Sequence, residues 1–166
     1  MEDKTLFDFN GYMRKACRKN RLAIRNAFHP CTYSGIQYLE GMVSGLRHVA
    51  NFFCVSDVSE GSTVCRSGGF FRRRVFTVYI LSRFKVNDTD DQEGKMNLCR
   101  ELFRQFHSKL LRDEAKLDNE MIYLNVGDIR SRDIGGMFLT GCTGLYFMVS
   151  VDEPVNLCYD EDEWME

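Results

Sequence analysis

A chain of 166 residues, 44% apolar and 28% charged with a net charge of −2, has the composition of one folded domain long enough to bury a core. Two prolines leave little room for a disordered linker, and no apolar run approaches the roughly 20 residues of a membrane helix. Charge is unevenly placed: residues 1–50 carry eight Lys/Arg against four acids, whereas residues 151–166 carry seven acids and no base. Such polarity along the chain suits head-to-tail contacts, or simply well-solvated ends.

Residues 5–28 read as helical. Phe7, Phe9, Met13, Ala16 and Cys17 recur at three- to four-residue spacing, with Arg14, Lys15, Arg18 and Lys19 filling the other face. Asn20 is a break point, after which residues 21–24 form either a second turn or a short extended piece, and His29-Pro30 ends the segment. Residues 33–49 give a second helix with Ile36, Leu39, Val43, Leu46 and Val49 on one stripe, weakened by Gly35, Gly41 and Gly45. The first 50 residues are therefore expected to be mainly helical. Residues 51–56 read as a strand, and residues 56–69, rich in Ser and Gly, as a mobile loop.

From Phe70 several signals agree. Residues 70–86 form a long strand, apolar or β-branched at nearly every position from 75 to 81, which predicts cover on both faces. Residues 87–91 supply a turn and an acidic N-cap cluster for a helix over 94–117. On that helix Cys99, Leu102, Phe103, Phe106 and Leu110 face the core, while Arg100, Arg104, Lys109 and Arg112 face away. Residues 121–132 form a strand bent at Gly127-Asp128. Gly135-Gly136 reads as a turn and residues 137–151 as a last strand ended by Pro154. Residues 152–166 read as an acidic tail, in which Asp160-Glu161-Asp162-Glu163 is a loose surface segment that Trp164 could pin down. The expected fold is a single α+β domain, a mainly antiparallel sheet packed against amphipathic helices.

The motif content calls for no cofactor or metal. There is no phosphate-binding loop, dinucleotide fingerprint, nucleophile elbow or H-E-x-x-H, and Ser67-Gly68-Gly69 precedes a strand where a phosphate cradle needs a helix. His29-Pro30-Cys31 is the nearest approach to a thiol site, yet residues two apart across a proline seldom converge on one atom. His48 and His107 read as structural histidines. Seven widely spaced cysteines, an odd number, with no export signal in Met1-Glu2-Asp3-Lys4, read as reduced small hydrophobes of a cytosolic protein. Arg72-Arg73-Arg74 beside Phe70 and Phe71 has the ingredients of single-strand nucleic-acid binding, but on a strand Arg72 and Arg74 share one face and Arg73 takes the other. The better nucleic-acid candidate is the basic helix face of Arg14, Lys15, Arg18 and Lys19. These features favour an assembly protein over an enzyme.

The strand–helix–strand–strand order over residues 70–152 resembles the tail-terminator (tail-completion) and head–tail joining proteins of tailed bacteriophages and prophages. The matching pieces are residues 74–80, the helix after Asp90-Asp91, and the run from Arg130-Ser131-Arg132-Asp133 through Gly135-Gly136 into Gly144-Leu145-Tyr146-Phe147. The resemblance implies a non-enzymatic structural protein that closes its own copies into a homo-oligomeric ring. It also implies binding to a tail-tube or connector protein, in the host cytoplasm and then in the virion. Arg72, Arg74, Arg130, Arg132 and Asp133 are the contact candidates on that reading, with residues 56–69 and 128–133 as contact loops. The rival readings are a nucleic-acid-binding regulator using the N-terminal basic face and a thiol enzyme built on Cys31.

Overall fold

The structure, a computed structural model, describes residues 6–66, 68–139 and 141–165. The export-signal reading of residues 1–4 and the expected helix start at residue 5 lie outside the described residues. So does Ser67 of the expected loop.

The N-terminal helical region is two helices. Asp8 caps α1 (Phe9–Lys19) by accepting from the Gly11 N–H at 2.8 Å. Asn20, in extended backbone, ends α1 and caps α2 (Arg21–Arg25). Residues 21–24 are thus a second helical turn. The chain then turns at Ala27, in the left-handed region with φ 49°, into β1 (Phe28–Tyr33). The first 50 residues therefore include a strand. α3 (Ile36–Gly45) is shorter than the expected 33–49, because Tyr33 belongs to β1 and Gly35 at φ 83° sets the helix start. Its C-terminal carbonyls are capped from afar: the Arg83 guanidinium donates to Val43, Leu46 and Val49 carbonyls while lying 5.3 Å from the Phe52 ring.

Residues Asn51–Ser56 form β2, as expected. The segment expected to be a loop is instead β3 (Glu60–Arg66), which pairs antiparallel with the first half of β4 (Gly69–Arg83). β3 is exposed along most of its length, so backbone pairing holds it and no apolar pattern marks it. Asp88 caps α4 (Thr89–Asn119) by accepting from the Asp91 N–H, with Asp90 and Asp91 at the positive helix end. β5 is only Tyr123–Leu124. β6 (Ser131–Phe138) includes Gly135-Gly136, where its register against β7 shifts between Ile134 and Phe138, and the turn falls three residues later, at Leu139 (φ 40°) and Gly141 (φ 89°). β7 (Cys142–Val155) passes Pro154 without ending. Pro154 lies beyond the β5 pairing, where one side of β7 has no neighbouring strand among the described residues.

The α+β expectation holds. The seven-stranded sheet has the order β1-β2-β4-β7-β5, with β3 extending the β4 side and β6 pairing β7; β1 and β2 are parallel and the other pairs antiparallel. One face packs against α1 and α4. Phe9 stacks on Phe76 at 4.8 Å, Phe53 on Phe106 at 4.4 Å and Phe103 against Phe147 at 4.7 Å, each buried ring contributing roughly 2–3 kcal/mol. The other face is covered only at one end, where α3 sets Leu39 and Val43 on Phe52, Cys54, Leu81 and Cys142. The expectation that β4 is sheltered on both faces is therefore corrected: Phe76, Val78 and Ile80 are buried, whereas Val75, Thr77 and Tyr79 on the second face are only partly covered. Gly144 has a specific role in this sheet. With φ 145°, it lies directly against the Ile80 carbonyl, where a Cβ would overlap backbone.

Candidate functional site

Two surfaces gather the residues with functional character. The first is the half of the second sheet face that α3 leaves open. Strand alternation puts Val75, Thr77 and Tyr79 of β4 beside Tyr146 and Met148 of β7, with Tyr79 paired to Tyr146 and Thr77 to Met148. The two tyrosine rings lie 5.3 Å apart, and Met148 is 37% exposed. A hollow of about 290 Å³ lies at one side of this face, lined by Tyr33, Ile36, Val58, Val75, Thr77 and Tyr79. Ile36 and Val58 are half exposed there.

The rims of this face differ in charge. On the β6 side Arg132 is the ladder partner of Tyr146, and the Arg130 carbonyl accepts from the Met148 N–H; both side chains are exposed. Across the sheet Glu60 lines the hollow, and Glu40 lies one helical turn on from Ile36, both exposed. Arg130 and Arg132 are thus brought together beside apolar side chains whose role was not legible from sequence. Asp133 points the other way, pairing with Arg100 of α4 at 2.6 Å on the surface.

The second surface is a cleft of about 500 Å³ between α1 and the C-terminal half of α4. Tyr12, Ala16 and Leu117 form its apolar part, and Lys15 and Lys19 from α1 meet Lys109, Arg112 and Lys116 from α4. Asp113 at its centre accepts from Lys109 Nζ at 2.5 Å and from the Tyr12 hydroxyl at 2.7 Å. Partial burial pushes the Asp113 carboxyl up, but these hydrogen bonds and the charges of Lys109 and Arg112 outweigh it and hold it below its ordinary value. Burial, together with the Asp113 hydrogen bond and charge, pushes the Tyr12 hydroxyl well up. Lys15, Lys19, Arg112 and Lys116 have no ion-pair partner among the described residues.

The four cations read as one N-terminal patch divide between two sides of α1. Arg14 bonds to Asn10 near Thr32, away from the cleft, and Arg18 is exposed; only Lys15 and Lys19 face α4. The α4 half of this basic surface was missed because Lys109 and Arg112 read simply as a solvated helix side.

The arginine run of β4 alternates as its spacing requires. Arg73 makes two bonds of 2.8 Å to Asp152, which also binds Arg66 at 2.5 Å, and Arg74 binds Glu153 at 2.6 Å on the opposite face. Arg74 also donates to the Phe7 carbonyl, and Glu153 accepts from the Phe7 N–H at 2.9 Å. Arg74 is thereby committed within the chain, while Arg72, opposite Glu153 in the ladder, stays exposed. Asp152 and Glu153 are buried members of β7, a correction to their placement in the acidic tail. The exposed remainder, residues 156–165, holds one 3-10 turn (Glu161–Glu163) and a Tyr159–Trp164 stack at 6.2 Å.

Cys31 is buried with its sulfur 3.1 Å from that of Cys54, while His29 is exposed and makes no bond to it among the described residues. The His107 ring bonds the Val126 carbonyl at 2.7 Å. Among the described residues no group of three His, Cys, Asp or Glu could hold a metal ion, and no helix is long and apolar enough to cross a membrane. No family model matches this chain, and no curated protein matches it.

Proposed function

We propose that this chain is a structural assembly subunit that associates with its own copies, in the manner of a phage or prophage tail-terminator or head–tail joining protein. On this reading the copies close into a ring that binds a tail-tube or connector protein, first in the host cytoplasm and then in the virion. The supporting observation is the open half of the second sheet face. Tyr79, Tyr146 and Met148 form a contiguous apolar surface flanked by Arg130 and Arg132 on one rim and Glu40 and Glu60 on the other. Exposed apolar area rimmed by polar groups marks contact surfaces. Unlike charges on opposite rims let the basic rim of one copy meet the acidic rim of the next, a heterologous contact that closes a ring when the rotation is right.

Native mass spectrometry over a concentration series tests the proposal. The full chain is expected to form a closed oligomer, and Tyr146→Asp or Met148→Asp to disperse it while circular dichroism stays unchanged. A chain that is monomeric at every concentration and ignores tail-tube subunits would overturn it. Genomic context gives a second check, since flanking genes for tail, capsid or terminase proteins are expected.

A further inference from the structure

The acidic end of the chain is more than a solvated tail. Residues 156–165 carry four acids, Asp160, Glu161, Asp162 and Glu163, and also Leu157, Tyr159, Trp164 and Met165, each at least half exposed. An acidic run alone is adequately explained by solubility, but four large apolar side chains interspersed with it are not. The cleft between α1 and α4 has the complementary composition. Four cations without ion-pair partners among the described residues, Lys15, Lys19, Arg112 and Lys116, surround an apolar floor that includes Tyr12 and Leu117. Its volume of about 500 Å³ falls within the roughly 300–1,000 Å³ of pockets that enclose organic groups. Lys109 is paired with Asp113, and Glu120 also lines the cleft, yet its five cations outnumber these two acids and leave it basic.

The fold argues against a chain filling its own cleft. β7 runs toward the end of the sheet where Glu153 bonds Phe7, and Phe7 is one of the residues lining the cleft. None of residues 156–165 lines the cleft of its own chain. We infer that the acidic, aromatic tail of one copy docks in the basic α1–α4 cleft of a second copy. This contact rests on the self-association proposed above and supplies it with a second joint, separate from the open sheet face.

Trp164 is the only tryptophan in the chain, so emission excited selectively at tryptophan, apart from the seven tyrosines, reports on the tail alone. Emission is expected to shift to the blue as protein concentration rises and to return to its solvent-exposed position in high salt, which screens the exposed charges. Reversing the cleft with Lys15→Glu and Lys116→Glu, both exposed positions, is expected to abolish the shift. So is reversing the tail with Asp160→Lys and Glu161→Lys, and placing both reversals in one chain restores it.

A Trp164 emission that stays solvent-like at all concentrations overturns the inference. A shift independent of concentration also overturns it, by placing the tail in its own cleft. So does a single-stranded oligonucleotide that binds the cleft without being displaced by tail docking. Particle mass measured in parallel separates the two proposals. An oligomer with exposed Trp164 rejects the tail contact and leaves the ring. A concentration-dependent shift whose particle mass is unaffected by Tyr146→Asp rejects the sheet-face contact and leaves the tail.

Discussion

Arg73 and Asp152 face each other across the β4–β7 ladder, joined by two hydrogen bonds of 2.8 Å, with Asp152 only 2% exposed. The Asp152 hydrogen bonds hold the Arg73 guanidinium above its ordinary value. Arg66 reaches the same carboxylate from β3 but is itself half exposed. Asp152→Ala is therefore expected to lower unfolding stability by about 2 kcal/mol. That is less than the roughly 3–5 kcal/mol of a fully buried broken pair, because both arginines can turn to water. Arg66→Ala is expected to cost less than about 1 kcal/mol. Urea denaturation of the two variants checks the order, and equal losses would reject it.

The close approach at Gly144 gives a sharper expectation. An added methyl would overlap the Ile80 carbonyl in the centre of the sheet, at a φ of 145° that side chains rarely adopt. Gly144→Ala is expected to lose more than about 4 kcal/mol and to fail to accumulate as soluble protein. Gly41, inside α3 with nothing within 4 Å of an added Cβ, behaves oppositely. Gly41→Ala is expected to gain about 0.5–1 kcal/mol, read as a higher Tm.

Asp113 predicts a pH dependence. Its folded carboxyl is held below the ordinary value, so its contribution is fully present above that value of about 4 and is lost as pH falls through the depressed folded value. The difference in stability between wild type and Asp113→Asn is expected to be about 0.5–1 kcal/mol at pH 7 and to shrink as pH falls below the ordinary carboxylate value of about 4. Chemical denaturation at a series of pH values measures it, and a difference that grows toward acid would contradict the assignment.

Thiol chemistry offers a test of the interior. Cys65 and Cys158 are exposed, and the other five cysteines are buried. Burial pushes Cys17 and Cys99 up to about 12, and burial together with the neighbouring Cys31 pushes Cys54 well up. Two thiols are expected to react promptly with an aromatic disulfide reagent at pH 8, and the remaining five only after denaturation. A third prompt thiol would show that the packing around one of the five buried cysteines is looser than described.

How much of this was legible from sequence depended on whether a segment's neighbours leave a mark in its own residues. α4 and β2 did, because an apolar stripe and an apolar run are consequences of burial that the chain itself carries. β3 did not, since its residues are mostly exposed and its order comes from backbone pairing with β4. The Arg73–Asp152 and Arg74–Glu153 pairs were half visible. Adjacent arginines on a strand must point to opposite faces, and Asp152-Glu153 is an adjacent acidic pair with the same alternation. Only the register shows that they meet. The α1–α4 cleft was hidden for a related reason: helical periodicity tells which side of a helix is wet, but not which wet side faces another helix across a gap.

The clasp formed by Phe7, Arg74 and Glu153 brings positions 6 and 155 to the same edge of the molecule. Insertions at position 6 and at position 155 would crowd one and the same corner. By contrast, a circular permutant bridging those positions with a few flexible residues, and reopened at the Leu139–Gly141 turn, should keep every strand pairing intact.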